Sequence, residues 1–124
     1  MNPDHIIVNI NSPEPERLIA FYRDVVQLPP VEGMGPGAFQ VGGGSSLIVD
    51  GHSNVNGRAE RPERVLLNLM IDGIDTEHDR LARAGAKVIR DRGKEYWGGV
   101  ISTFEDPDGN YFQIIEYRPE EASA

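Results

Sequence analysis

The chain repeats its own plan. A strand, a helix and three further strands can be read in residues 5–50, and the same order returns in residues 65–117. Ile10 and Ile71 close the two first strands, 61 residues apart, and Phe21 and Leu81 sit 60 apart at similar depth in the two helices. A period near sixty, each copy reading βαβββ, constrains the fold more than any single motif. Each helix should cover one face of its own sheet. The uncovered faces should then line a concavity, and concavities bind small molecules. The expected architecture is α+β: two tandem βαβββ modules forming a curved mixed sheet with a concave cleft. The modules are placed at 4–50 and 64–118, joined by a linker at 51–63. At 124 residues the chain suits a single domain with a real core.

Local chemistry supports each element. In "HIIVNI" (5–10), Ile6, Val8 and Ile10 alternate with His5, Ile7 and Asn9, a strand pattern. Ser12-Pro13 marks a helix start, and Leu18, Phe21, Tyr22 and Val25 keep helical spacing to about Val26. Leu28-Pro29-Pro30 ends that helix. Ala38–Val41 and Ser45–Val49 read as strands joined by the turn Gly42-Gly43-Gly44, which lacks a phosphate-loop pattern. Residues 50–63 are a polar connection. Val65–Ile71 is a strand, 72–84 a helix with Gly85 behind it, and Ala86–Ile89 a strand. Residues 90–98, charged and then aromatic, read as a loop. Val100–Glu105 and Tyr111–Tyr117 close the chain as a hairpin about Asp106-Pro107-Asp108-Gly109. The tail 119–124 reads as frayed.

Twenty acidic residues against twelve basic give a formal charge of −8, which repels nucleic-acid phosphates and anionic membranes and favours a cationic or neutral ligand. The chain has no cysteine, so thiolate metal sites, disulfides and cysteine nucleophiles are excluded. There is no apolar run of membrane-spanning length and no secretory signal pattern at the N-terminus. The cytoplasm is the expected location.

Three stretches, "AFYRDVVQL" (20–28), "EYWGGV" (95–100) and "FEDPDGNYFQIIEY" (104–117), together resemble the vicinal oxygen chelate superfamily. That superfamily includes glyoxalase I, bleomycin-resistance proteins, fosfomycin-resistance enzymes and extradiol dioxygenases. The resemblance covers nearly the whole chain and implies paired βαβββ modules enclosing a cleft, often completed by dimerisation. Its enzymes hold a divalent metal through His and Glu. Carried over position by position, the first ligand position is His5. The second falls near Leu66, which cannot bind metal. The third lies in Ser45–Val49, which has neither carboxylate nor histidine. The last is Gln113, where metal enzymes have Glu. His5 and Gln113 are therefore weak metal candidates, and a divalent metal would find an incomplete ligand set. The WGG stretch resembles the metal-free members that bind drugs unaltered.

The candidate ligand-binding residues are His5, Asn9, Asn68, Trp97, Tyr111 and Gln113, with Met70 on the same inferred face. No catalytic residue is assigned. His5 reads either as a ligand contact or as a hydrogen-bonded strand histidine. Trp97 reads either as a lid over ligand or as a packing anchor. Gln113 offers both an amide donor and an acceptor. His52 near Asp50 reads either as a weak accidental metal site or, by preference, as surface-exposed, and His78 as a solvated helix residue. Asp75, Glu77 and Asp79 read as acids at a helix start. Glu105 and Glu116 receive no role. The expected function is metal-independent small-molecule binding of the bleomycin-resistance type, for a cationic or aromatic compound, by a homodimer. The alternative is a glyoxalase-like metal-dependent lyase or isomerase, so whether the chain is an enzyme stays open at this point.

Overall fold

A computed structural model describes residues 1–119; residues 120–124, most of the tail expected to fray, lie outside the described residues. The elements are β1 (Ile7–Ser12), α1 (Pro15–Ala20), a π-helical turn (Phe21–Val26), β2 (Ala38–Gln40), β3 (Ser46–Gly51), β4 (Leu67–Met70), α2 (Ile74–Arg83), β5 (Lys87–Lys94), β6 (Gly99–Glu105) and β7 (Tyr111–Tyr117). They fall into two compact units, Met1–Gly57 and Arg58 onward. Among the described residues, no helix is long and apolar enough to cross a membrane.

The first unit holds a three-stranded sheet in the order β1-β3-β2. β1 runs parallel to β3, with Val8 opposite Leu47 and Ile10 opposite Val49, and β2 runs antiparallel to β3. Leu18, Tyr22, Phe39, Leu47 and Val49 are buried and form its core. The helix begins where Ser12 Oγ accepts the Glu14 N–H at 2.9 Å. The Ser-Pro signal places the start two residues early: Ser12 ends β1, Glu14 is the N-cap, and Pro15 rather than Pro13 opens the first turn. It ends on Gln27, whose φ of 64° is left-handed and closes the helix through Leu28 N–H to Tyr22 C=O at 3.1 Å. Gly37 permits a close crossing: a Cβ there would lie 2.4 Å from the Val49 carbonyl oxygen.

The second unit holds a four-stranded sheet in the order β4-β7-β6-β5. β4 runs parallel to β7, and the other pairs are antiparallel. In both units the first strand thus lies parallel beside the last, which is the repeat expressed as topology. α2 packs on one face, burying Ile74 and Leu81 with Phe104 and Phe112, whose rings stack at 5.6 Å.

Three expectations need correction in detail. The strand expected at 5–10 occupies Ile7–Ser12, which leaves His5 exposed ahead of it. Its partner β3 begins only at Ser46, opposite Ile7, so there is no strand for His5 to pair with. The first of the three strands expected after the first helix is reduced to a bridge between Pro30 and Phe39. Pro29 and Pro30 have no N–H to offer, so the ladder goes no further than Val31 N–H to Ala38 C=O and Gln40 N–H to Pro29 C=O. β5 runs to Lys94 instead of Ile89, across register shifts at Val88/Arg90 and Arg90/Gly93. Its charged residues read as loop, but they suit an irregular edge strand, where charge blocks unwanted pairing.

Candidate functional site

The face of the second sheet opposite α2 carries Asn68, Tyr111 and Gln113, three of the candidate residues. β7 sets the register: Asn68 of β4 lies opposite Gln113, and Thr103 of β6 lies opposite Gln113 on the other side. Three side chains in one row across three strands must share a face. They bond in sequence. Thr103 Oγ1 donates to Gln113 Oε1 at 2.7 Å, and Gln113 Nε2 donates to Asn68 Oδ1 at 2.8 Å. Thr103 is buried, Gln113 half-buried and Asn68 exposed, so the chain of bonds runs from the interior to the surface.

The neighbouring rows are in register with this one. On one side stand Glu105 and Tyr111, paired across β6 and β7. Glu105 is ion-paired to Arg58 and, at 3.2 Å, to Lys87. On the other side stand Ile101, Ile115 and Met70, and beyond them Gly99 and Tyr117. Trp97 lies over Gly99: a Cβ there would fall 2.1 Å from the indole ring. The same indole stacks on Tyr117 at 6.4 Å with an interplanar angle of 22°. Trp97 is thus anchored on the sheet, yet 41% of it remains exposed. Tyr111, Gln113, Asn68 and Trp97 therefore belong to one face of one sheet.

The other two candidates lie in the first unit. Asn9 is exposed on β1, on the face away from Leu47 and Val49, opposite Ile48. His5 precedes the strand, near Gly44. His52 accepts the Asn54 N–H through Nδ1 at 3.1 Å, so it serves its own loop.

The DPDG turn is built as its residues imply. Gly109 N–H donates to Asp106 C=O at 3.0 Å, and Gly109 takes a φ of 84°. The Asp106 carboxylate is the hub of the turn, accepting the N–H groups of Asp108 at 2.9 Å and Asn110 at 3.0 Å. Arg58 docks on the turn from the connection, donating to Pro107 C=O at 3.0 Å. The turn is therefore a scaffold that aims β7, the strand carrying Tyr111 and Gln113.

Two features escaped the sequence, one of them buried. His78, expected to be solvated, is only 6% exposed. Its Nδ1 lies 2.8 Å from Ser102 Oγ, its Nε2 lies 3.2 Å from Asp91 Oδ1, and its ring packs 5.2 Å from Phe104. The apolar helix positions around it point to the sheet, and a histidine in that stripe is buried with them. Ser, His and Asp in line are not a nucleophile here: Ser102 is fully buried beneath α2, where no substrate reaches it. The other feature is Glu116. Its Oε2 accepts the Gly73 N–H at 2.7 Å, capping α2 from 43 residues away. That backbone bond, aided by Arg118 against the opposing effect of burial, holds the Glu116 carboxyl below the usual range.

The residues present do not fit a resident divalent metal. Among the described residues, no three His, Cys, Asp or Glu side chains are grouped to hold an ion. At the family's last ligand position, the Gln113 oxygen is already bonded to Thr103 and its nitrogen faces Asn68. A neutral amide in that state is a poor ligand for a transition metal.

Comparison with known proteins agrees with this architecture. The model of the glyoxalase-like domain family matches residues 7–115. Among solved structures, the chain is similar to TnmS3, an antibiotic binding protein from Streptomyces sp. CB03234. The two are 23% identical over 94% of this chain and 98% of that one, with a TM-score of 0.72. It is also similar to a glyoxalase/bleomycin resistance protein/dioxygenase from Nocardioides, 17% identical over 100% of this chain and 89% of that one, with a TM-score of 0.71. A glyoxalase/bleomycin resistance protein/dioxygenase family enzyme from Burkholderia phytofirmans PsJN is 23% identical over 90% and 96%, with a TM-score of 0.70. Among curated proteins, none matches the chain. With a family model spanning most of its length and both units built on one topology, the chain belongs to the glyoxalase-like domain family, consistent with the vicinal oxygen chelate superfamily.

Proposed function

We propose that this protein binds a small molecule without a resident metal, in the manner of the bleomycin-resistance proteins. The observation that carries the reading is the state of Gln113. The side chain at the family's ligand position is a neutral amide, tied on one side to Thr103 and on the other to Asn68. Such a group orients a ligand by hydrogen bonds and supplies neither Lewis acid nor base. The antibiotic-binding neighbour supports the same reading. Asn68, Tyr111, Gln113 and Trp97 form the proposed contact surface on the second sheet, and His5 and Asn9 are proposed contacts on the first unit. A homodimer is part of the proposal, supported by the exposure of Ile6 and Ile7 beside edge strand β1.

The test has two arms. Protein purified without chelator and without immobilised nickel is analysed for metal; stoichiometric Zn, Ni, Mn or Fe contradicts the metal-free reading. A thermal-shift screen of aromatic and heterocyclic compounds then compares wild type with Gln113→Leu and His5→Ala. Stabilisation of wild type that Gln113→Leu loses supports the site. Identical shifts in all three proteins remove these residues from it.

A further inference from the structure

The polarity of the Thr103–Gln113–Asn68 row defines what the surface asks of a ligand. Thr103 gives its hydroxyl proton to the Gln113 oxygen, with the Gln113 amide turned so that its oxygen faces Thr103. The Gln113 nitrogen must then face Asn68, and its donation to Asn68 Oδ1 fixes that amide in turn. Both amide oxygens are thereby engaged as acceptors. What remains is a second N–H on Gln113 and the NH2 group of Asn68, which has no hydrogen-bond partner among the described residues. Bonds aligned head to tail polarise one another, so the last donor is strengthened. The buried end of the row is closed and the exposed end donates.

Apolar surface adjoins that donor. Met70, one row along on the same strand and face, is 61% exposed, and the Trp97–Tyr117 stack lies further along the sheet, with Tyr117 57% exposed. Rows on one face of a strand are about 7 Å apart. The formal charge of −8 disfavours a fully ionised anion as ligand. We infer that the second sheet selects an uncharged compound carrying a carbonyl-type acceptor on the edge of a flat apolar body. Its acceptor oxygen meets the Asn68 and Gln113 amide protons, and its body lies along Met70 toward Trp97. This rests on the binding reading above and goes beyond it by naming the ligand class: an acceptor is required, and a metal cation or a pure donor is refused.

The experiment uses a matched pair of probes, xanthone and xanthene, which differ by one carbonyl. Trp97 is the sole tryptophan of the chain, so its fluorescence reports binding directly. Wild type should bind xanthone at least about threefold more tightly than xanthene, the worth of one neutral hydrogen bond. Asn68→Asp replaces the terminal donor with an acceptor at an exposed position and should abolish that preference, so that xanthone no longer binds more tightly than xanthene. Circular dichroism checks that the variant is folded. Equal affinities for both probes in wild type, or a preference that survives in Asn68→Asp, overturn this inference while the binding reading stands. If neither probe quenches Trp97, the inference is overturned, and the binding reading is decided by the metal analysis and thermal-shift screen.

Discussion

The two modules start their helices in different ways. α1 is started by its own neighbour: Ser12 Oγ accepts the N–H of Glu14, two residues on. α2 is started by a residue from the far end of its module: Glu116 on β7 accepts the N–H of Gly73. Both devices satisfy donors that a helix leaves open at its N-terminus. They differ in reach and in charge. The Ser12 hydroxyl bond spans two residues of chain, and it does not titrate. The carboxylate cap exists only after β7 has docked, and it depends on ionisation. The second module therefore makes its helix conditional on its sheet, which is the sheet that carries the candidate site.

Substitutions can break or sharpen this contrast. The largest effect is expected at His78, which ties α2 to β5 and β6. His78→Phe should cost about 2 kcal/mol in a urea melt, since it leaves the buried Ser102 hydroxyl without its partner. A change near zero would mean that the helix is held by its apolar residues alone. Glu116→Gln should cost about 1 kcal/mol at neutral pH, and its effect should depend on pH. The folded-state carboxyl titrates below its unfolded value. Its stabilisation is therefore complete above the unfolded pKa and is lost as pH falls through the depressed folded pKa. Wild type and Glu116→Gln should converge in acid, measured by melts across that range. Ser12→Ala, which removes the buried acceptor of the Glu14 N–H, should also cost about 1 kcal/mol, but its difference from wild type should be the same at every pH. If the Ser12 difference tracked pH and the Glu116 difference did not, the assignment of the two caps would be reversed. The smallest effect is a gain. Gln27 takes a left-handed conformation that glycine adopts freely, so Gln27→Gly should stabilise by about 0.5 kcal/mol, read as a small rise in melting temperature.

The same contrast explains what was legible in the sequence. Signals that act over a few residues were readable. The DPDG turn, the closing hairpin, the proline stop and Gly85 behind α2 all depend on neighbours, while the first helix starts two residues after the Ser12-Pro13 signal. The repeat was readable because its copies share one order of elements. Register was harder. The start of β1 depends on where β3 begins, so alternation alone made His5 the first residue of a strand that in fact starts two residues later. β5 looked like a loop because edge strands carry the charges that interior strands exclude. The partners of Glu116 and His78 come from other strands, and no local pattern records them. Alternation alone placed Gln113, Tyr111 and Asn68 on one face. The bond that orients Gln113 came from Thr103, a residue the sequence reading did not single out, because a threonine in a strand has an ordinary reason to be there.

The central claim is that ligand is held at Gln113 by hydrogen bonds without a metal. The most direct test is a titration of wild-type protein with xanthone, followed by Trp97 fluorescence, with and without EDTA. The account predicts the same affinity in both conditions. Binding that vanishes in EDTA and returns with an added divalent cation would contradict it.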